Sequence, residues 1–158
     1  MTPWRAAAGW EALRDLADDA TARAGARPAV FSANVGALRR YTGRAQFAAR
    51  LFTAGGFAIA DVGGFDDAAA LAQAFAASGA RGAVLCGHDD DYAAHAEAFA
   101  QALRDAGAAF VALAGRPGES ADALRAAGVS RFVHMKCEAL DALRDSWSDL
   151  GEEEVGDE

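Results

Sequence analysis

Residues 78–86 read Ser78-Gly79-Ala80-Arg81-Gly82-Ala83-Val84-Leu85-Cys86, a small residue and a glycine followed by a short apolar run. The same punctuation occurs at Ala24-Gly25 before Pro28–Ala33, Ala54-Gly55 before Phe57–Ala60, Ala106-Gly107 before Ala109–Leu113, and Ala127-Gly128 before Ser130–His134. Glycine just past a helix adopts the left-handed backbone conformation at little cost. Each of these small residue–glycine pairs therefore predicts the end of a helix, with a strand after it.

The five apolar runs are continuous rather than alternating, which is typical of parallel strands covered on both faces. Between them, apolar residues recur at helical spacing. The helical stripes are Phe47, Leu51 and Phe52; Leu71 and Phe75; Tyr92, Ala96, Phe99 and Leu103; and Leu140, Leu143, Trp147 and Leu150. The expected helix N-caps are Asp66, Asp89 or Asp90, and Ser120. Five such units predict an α/β fold: a doubly wound, five-stranded parallel sheet of flavodoxin-like order 2-1-3-4-5, with a ligand crevice between the first and third strands.

Length and charge predict one domain with short flanks. A chain of 158 residues, 53% of them hydrophobic, can bury one core. We expect an N-terminal linker helix within residues 1–26, the flavodoxin-fold domain over 27–150, and a disordered acidic tail over 151–158. The acidic residues of that tail are Glu152, Glu153, Glu154, Asp157 and Glu158, which carry much of the net charge of −8.

Composition excludes several classes of function. The body of the chain is mildly acidic, which argues against nucleic-acid binding. No long apolar run or basic-then-apolar leader pattern is present, so we expect no membrane contact and a cytoplasmic protein. Cys86 and Cys137 are isolated thiols, so a disulfide framework is not expected.

The loops that follow the predicted strands are where a site is expected. The first loop is not Gly-x-Gly-x-x-Gly, and the chain holds no Gly-Lys-Ser/Thr, so dinucleotide and P-loop sites are excluded. The run from Cys86 to Asp91 could form a metal or acid–base site, alone or with His134, although a turn followed by helix-capping aspartates explains it more simply. Arg116 could meet an anion, or be a solvated loop charge.

At the first loop the sequence resembles a known family. The residues that carry the resemblance are Arg27-Pro28-Ala29-Val30-Phe31-Ser32-Ala33-Asn34-Val35-Gly36, Arg44-Ala45-Gln46-Phe47-Ala48, Phe52-Thr53-Ala54-Gly55-Gly56, Ala76-Ala77-Ser78-Gly79-Ala80 and Leu113-Ala114-Gly115-Arg116-Pro117-Gly118. From Arg27 to about Leu150 the chain is similar to the C-terminal, cobalamin-binding-like domain of methylmalonyl-CoA mutase, most of all that of the small, non-catalytic subunit.

The resemblance implies a cofactor loop that has changed its chemistry. Cobalamin-binding members carry Asp-x-His-x-x-Gly after the first strand, where the His binds cobalt and the Asp orients it. The matching positions here are Leu38, Arg40 and Gly43, and a guanidinium cannot lend a lone pair to a metal. The other three binding loops are also replaced, by Cys86-Gly87-His88, by Ala114-Gly115 and around Met135-Lys136-Cys137. The remaining crevice candidates are Asn34, Gly36, Cys86, His88 and Gly115.

By this resemblance the chain is a module that binds no cofactor and assembles with a large catalytic mutase subunit as a heterodimer. That complex would be an adenosylcobalamin-dependent isomerase of methylmalonyl-CoA and succinyl-CoA in propionate metabolism. The chain is too short for the barrel domain where such isomerisation occurs, which needs about 250 residues. It is expected to be either a fragment or a free-standing relative. The alternative is a stand-alone module that binds a corrinoid or another small ligand in the crevice between strands 1 and 3.

Overall fold

Strands and helices alternate along the chain in the computed structural model, which describes residues 3–134 and 139–151. The strands are β1 (Ala29–Val35), β2 (Ala58–Ala60), β3 (Gly64–Phe65), β4 (Gly82–Cys86), β5 (Val111–Ala114) and β6 (Arg131–Val133). The helices are α1 (Pro3–Ala24), α2 (Leu38–Ala54), α3 (Ala68–Ser78), α4 (Asp89–Asp105), α5 (Ala121–Ala127) and α6 (Ala139–Asp149). No helix in these ranges combines the length and apolarity needed to cross a membrane.

The sheet is parallel and has the order β2-β1-β4-β5-β6. This confirms the doubly wound, flavodoxin-like prediction, since β4, β5 and β6 are the third, fourth and fifth predicted strands. The register places Phe31 between Ala60 of β2 and Ala83 of β4. One further strand was not predicted: β3, of two residues, pairs with the carboxyl end of β1 beyond the end of β2.

Both faces of the sheet are covered, which is why the strands are apolar throughout. Val30 and Val84 point into a core shared with α1, α2 and α6. Phe31 and Leu85, their neighbours along the same strands, point into a second core shared with α3, α4 and α5. Each such side chain, fully removed from water, contributes about 1.5–3 kcal/mol to folding.

The first and last helices pack against each other and onto one face of the sheet. The centre of this contact is Trp147, which is fully buried. Its ring stacks on Phe57 at 4.4 Å, and its Nε1–H donates to the Gly55 carbonyl at 2.9 Å. α1 can approach this closely because Gly56 has no side chain: a Cβ on Gly56 would lie 2.6 Å from the Ala17 Cβ. The predicted N-terminal helix is therefore part of the packed core.

Several predicted boundaries were wrong by one or two residues. The N-cap of α3 is Asp67, not Asp66, and its carboxylate accepts from the Ala70 amide. The N-cap of α4 is His88, because Asp89 and Asp90 already belong to the helix. Ser120 does occupy the N-cap of α5, but its side chain makes no capping bond.

The end of α2 differs from the predicted glycine cap. Gly55 has a φ of −83°, and the left-handed residue is the next one, Gly56, with a φ of +96°. The predictions for Met135-Lys136-Cys137 and for the acidic residues after Gly151 lie outside the described residues.

Candidate functional site

The predicted crevice lies where the loops after β1 and β4 leave the carboxyl edge of the sheet. β1 turns into α2 through Gly36, whose φ of +82° favours glycine and whose amide donates to the Phe65 carbonyl at 2.9 Å. Leu38, the first residue of α2, is 66% exposed. It therefore lies mostly in solvent, at the start of the helix that follows the loop.

Arg40 joins the two sides of the crevice. Its Nε lies 2.7 Å from Asp91 Oδ2, and its Nη2 lies 3.9 Å from Asp90 and 3.4 Å from His88 Nδ1. The hydrogen bond and the charge of Asp91 raise the pKa of Arg40 above its ordinary value. The structure thus brings two predicted site residues, Arg40 and His88, together, but as a bridge between α2 and α4.

Arg44, one helical turn further along α2, makes a second bridge. Its Nη1 donates to the Gly87 carbonyl at 2.7 Å and to Asp89 Oδ1 at 2.8 Å. Its guanidinium carbon lies 5.3 Å from the centre of the Tyr92 ring, within range of a cation–π contact. In the sequence, Arg44 stood out only as part of the family resemblance, and its contacts with Gly87 and Asp89 were not predicted. The bridges of Arg40 and Arg44 are called the crossing ion pairs below.

Tyr92 ties together the strand ends that border the site. Its hydroxyl accepts from the Gly87 amide at 2.9 Å and lies 2.7 Å from the Ala114 carbonyl and 3.0 Å from the Leu85 carbonyl. It thereby joins the carboxyl ends of β4 and β5, and burial raises the pKa of its hydroxyl. The sequence identified this residue only as one position of an apolar helix face.

Asn34, a predicted crevice candidate, lies within β1 rather than in the loop that follows it. β1 continues to Val35, so Asn34 is a fully buried strand residue. Its amide donates to Asp61 Oδ1 at 2.9 Å and to the Gly63 carbonyl at 3.0 Å, and its own oxygen accepts from Ser32. Its role is to hold the loop between β2 and β3.

The residues considered for a metal or acid–base site have other contacts in the structure. Cys86 is fully buried, and burial raises the pKa of its thiol to about 12, which disfavours the thiolate that a nucleophile needs. Within residues 3–134 and 139–151, no group of three or more His, Cys, Asp or Glu side chains could hold a metal ion. His88 instead caps α4, accepting from the Asp90 amide at 3.2 Å.

A pocket of about 480 Å³ lies beside the crossing ion pairs, at the carboxyl ends of β5 and β6. Its lining residues are Gly43, Arg44, Phe47, Asp89, Ala114, Gly115, Arg116, Val133 and His134. Gly115, a predicted crevice residue, lines it with a φ of +156°, and a Cβ there would lie 3.6 Å from Arg44. This pocket is therefore displaced from the predicted crevice between β1 and β4 towards β5 and β6.

No protein-family model matches the chain. It is 44% identical over 142 residues to the methylmalonyl-CoA mutase small subunit of Streptomyces virginiae, covering 90% of this chain and 22% of the relative. The small subunit of Porphyromonas gingivalis is 37% identical over 89% of this chain and 22% of its own length. The chain is a relative of part of the methylmalonyl-CoA mutase small subunit.

A third similar protein supports the same assignment. The probable methylmalonyl-CoA mutase small subunit of Mycobacterium tuberculosis is 38% identical over 93% of this chain and 24% of the relative. The resemblance predicted from the sequence is thus confirmed at the level of the family. The chain spans about a quarter or less of the length of these small subunits.

Proposed function

We propose that the chain is a cobalamin-binding-like domain of a methylmalonyl-CoA mutase small subunit that holds no cofactor and serves assembly with the catalytic subunit. The complex would be a cytoplasmic heterodimer that isomerises methylmalonyl-CoA and succinyl-CoA, with adenosylcobalamin on the partner. The proteins to which this chain is similar are named as small subunits of methylmalonyl-CoA mutase.

The crossing ion pairs carry the proposal. At the position where a cobalt-binding histidine would stand in the family, Arg40 offers only donors, and its side chain is engaged by Asp91 at 2.7 Å. Arg44 spans the same gap to Asp89. A corrinoid entering between the loops would have to displace these bridges, and at the histidine position it would meet a guanidinium, which has no lone pair for a metal. The residues present do not fit the cofactor.

A titration with adenosylcobalamin tests the cofactor half of the proposal. The purified chain is dialysed to equilibrium against the cofactor, and the absorbance inside and outside the membrane is compared. We expect equal concentrations and no spectral change. Retention that is saturable, and that Arg40→Ala but not the neighbouring Arg39→Ala changes, would contradict the proposal and favour the small-ligand module.

The exposed apolar side chains support the assembly half. Among the described residues, the large hydrophobic side chains that remain exposed are Leu38 (66%) and Val62 (64%). Both follow strands of the sheet at its carboxyl edge, Leu38 after β1 and Val62 after β2. Isolated exposed apolar residues are common, but two at one edge are suited to a contact with another domain or subunit.

Co-expression with a large mutase subunit tests assembly. We expect the two to co-purify on a tag carried by the large subunit, and Leu38→Ser with Val62→Ser to reduce the recovery. Gln73→Ser, an exposed change on α3, is the matched control and should leave it unaltered. No co-purification of the wild-type chain, or equal recovery of both variants, would contradict assembly through this edge.

A further inference from the structure

The pocket at the carboxyl ends of β5 and β6 has a charge pattern that sets it apart from the rest of the chain. Two of its lining side chains are the arginines Arg44 and Arg116, and its one carboxylate is Asp89. Asp89 is already paired with Arg44 at 2.8 Å. The lining therefore carries one more positive than negative charge, in a chain whose net charge is −8. An anion is attracted to such a site and repelled by most of the surface.

Donors remain available on both arginines. The hydrogen bonds of Arg44 to the Gly87 carbonyl and to Asp89 both use Nη1, and the guanidinium also contacts Tyr92, so only part of its hydrogen-bonding capacity is used. Arg116 is exposed in the loop after β5 and forms no ion pair within the described ranges. Guanidinium groups bind carboxylates through paired hydrogen bonds, and these are among the stronger polar contacts in proteins.

The rest of the lining is mostly apolar. Phe47 of α2 is half-buried, and Val133 and Ala114 form the strand side of the wall. His134 adds a polar edge, and its buried Nδ1 has no hydrogen-bond partner among the described residues. Unpaired buried polar atoms are rare in proteins and often mark places where a further partner binds. A volume near 480 Å³ lies within the range of small-molecule pockets.

We propose that this pocket binds an organic carboxylate with an apolar body, the carboxylate between Arg44 and Arg116 and the body against Phe47 and Val133. The excess of one positive charge suits a monoanion better than a phosphate dianion. The Arg44–Asp89 ion pair forms one wall of the pocket, so the ligand would bind against it. The proposal is independent of the assembly role.

Sodium benzoate is the probe for a titration followed by amide NMR shifts of the whole chain. We expect saturable shifts centred on Gly43, Gly115 and His134. Benzyl alcohol, which keeps the ring and lacks the charge, should bind at least tenfold more weakly. Inorganic phosphate, which is an anion without an apolar body, should also bind at least tenfold more weakly. Equal binding of all three probes, or benzoate shifts elsewhere on the surface, would overturn the proposal.

Variants test whether benzoate binds in this pocket or to any exposed arginine. Arg116→Ala should weaken benzoate binding by roughly tenfold, while Arg50→Ala, an exposed change later on α2, should leave it unchanged. Phe47→Ala should weaken the binding of benzoate but leave the weaker binding of phosphate unchanged. Because Arg116 is exposed and unpaired within the described residues, its variant should keep the wild-type melting temperature. Equal losses with Arg50→Ala and Arg116→Ala would refute the site.

Discussion

The hydroxyl of Tyr92 joins two strand ends, and replacing Tyr92 by phenylalanine removes that junction without removing the ring. The ring would keep its place under Arg44, whose guanidinium carbon is 5.3 Å from its centre. What is lost is the acceptor for the Gly87 amide at 2.9 Å and the donor to a carbonyl, the nearer being Ala114 at 2.7 Å. Only one carbonyl can receive the single hydroxyl proton at a time.

The expected cost follows from those two bonds. A hydrogen bond contributes about 0.5–1.5 kcal/mol net, and a buried group left without a partner costs about 1–3 kcal/mol. Since the Gly87 amide is buried beside the lost oxygen, we expect Tyr92→Phe to lower the free energy of unfolding by about 2–3 kcal/mol. In a chain of this size that corresponds to a fall of roughly 4–12 °C in melting temperature.

Urea unfolding followed by circular dichroism measures this difference. The midpoint should fall while the slope of the free energy against urea stays constant, since the surface exposed on unfolding is unchanged. Tyr41→Phe is the matched control, because Tyr41 is also a buried tyrosine but does not join the ends of β4 and β5 as Tyr92 does. It should change stability by less than about 0.5 kcal/mol. Equal, small effects of the two changes would refute the role given to the Tyr92 hydroxyl.

Titration of one thiol and substitution of two glycines provide independent checks. Burial raises the pKa of Cys86 from 9.0 to about 12, so the unfolded chain loses this proton first as pH rises. Stability should then fall above about pH 9 by up to roughly 1.4 kcal/mol per pH unit, and Cys86→Ala should flatten that slope in urea titrations at increasing pH. Gly64→Ala places a Cβ 2.2 Å from the Gly36 carbonyl oxygen and should cost about 1–3 kcal/mol. Gly43→Ala meets nothing within 4 Å inside α2 and should stabilise by about 0.5–1 kcal/mol. A loss with Gly43→Ala, or no loss with Gly64→Ala, would contradict the packing described.

The sequence predicted the architecture because its signals are local and repeated. Apolar runs such as Ala83-Val84-Leu85 are covered on both faces, and glycines such as Gly79 end helices in the left-handed conformation, as predicted. The short strand β3 had no such signal. It forms because the loop held by Asn34 returns alongside β1, and that is a tertiary contact.

The candidate site was less predictable for the same reason. The changed loop positions Leu38 and Arg40 could be found by comparison with a motif, but the partner of Arg40 could not. Asp91 lies 51 residues further along the chain and was interpreted as part of a helix-capping run. Likewise the pocket depends on Arg116 and Phe47 converging from separate elements. The sequence marked Arg116 as a possible anion contact, but it gave no sign that Phe47 would lie beside it.

β1, which is paired on both of its sides, is also the first strand to be made. Phe31 of β1 can complete its pairing only after residues 60 and 83 have been synthesised, and α1 completes its packing only when Trp147 arrives. Such contacts between distant parts of the chain require large loops to close before any energy is gained, which slows folding. During synthesis on the ribosome, the apolar surfaces of α1 and β1 therefore stay exposed until the later segments emerge. The core that α1 shares with α6 is complete only after α6 has been made.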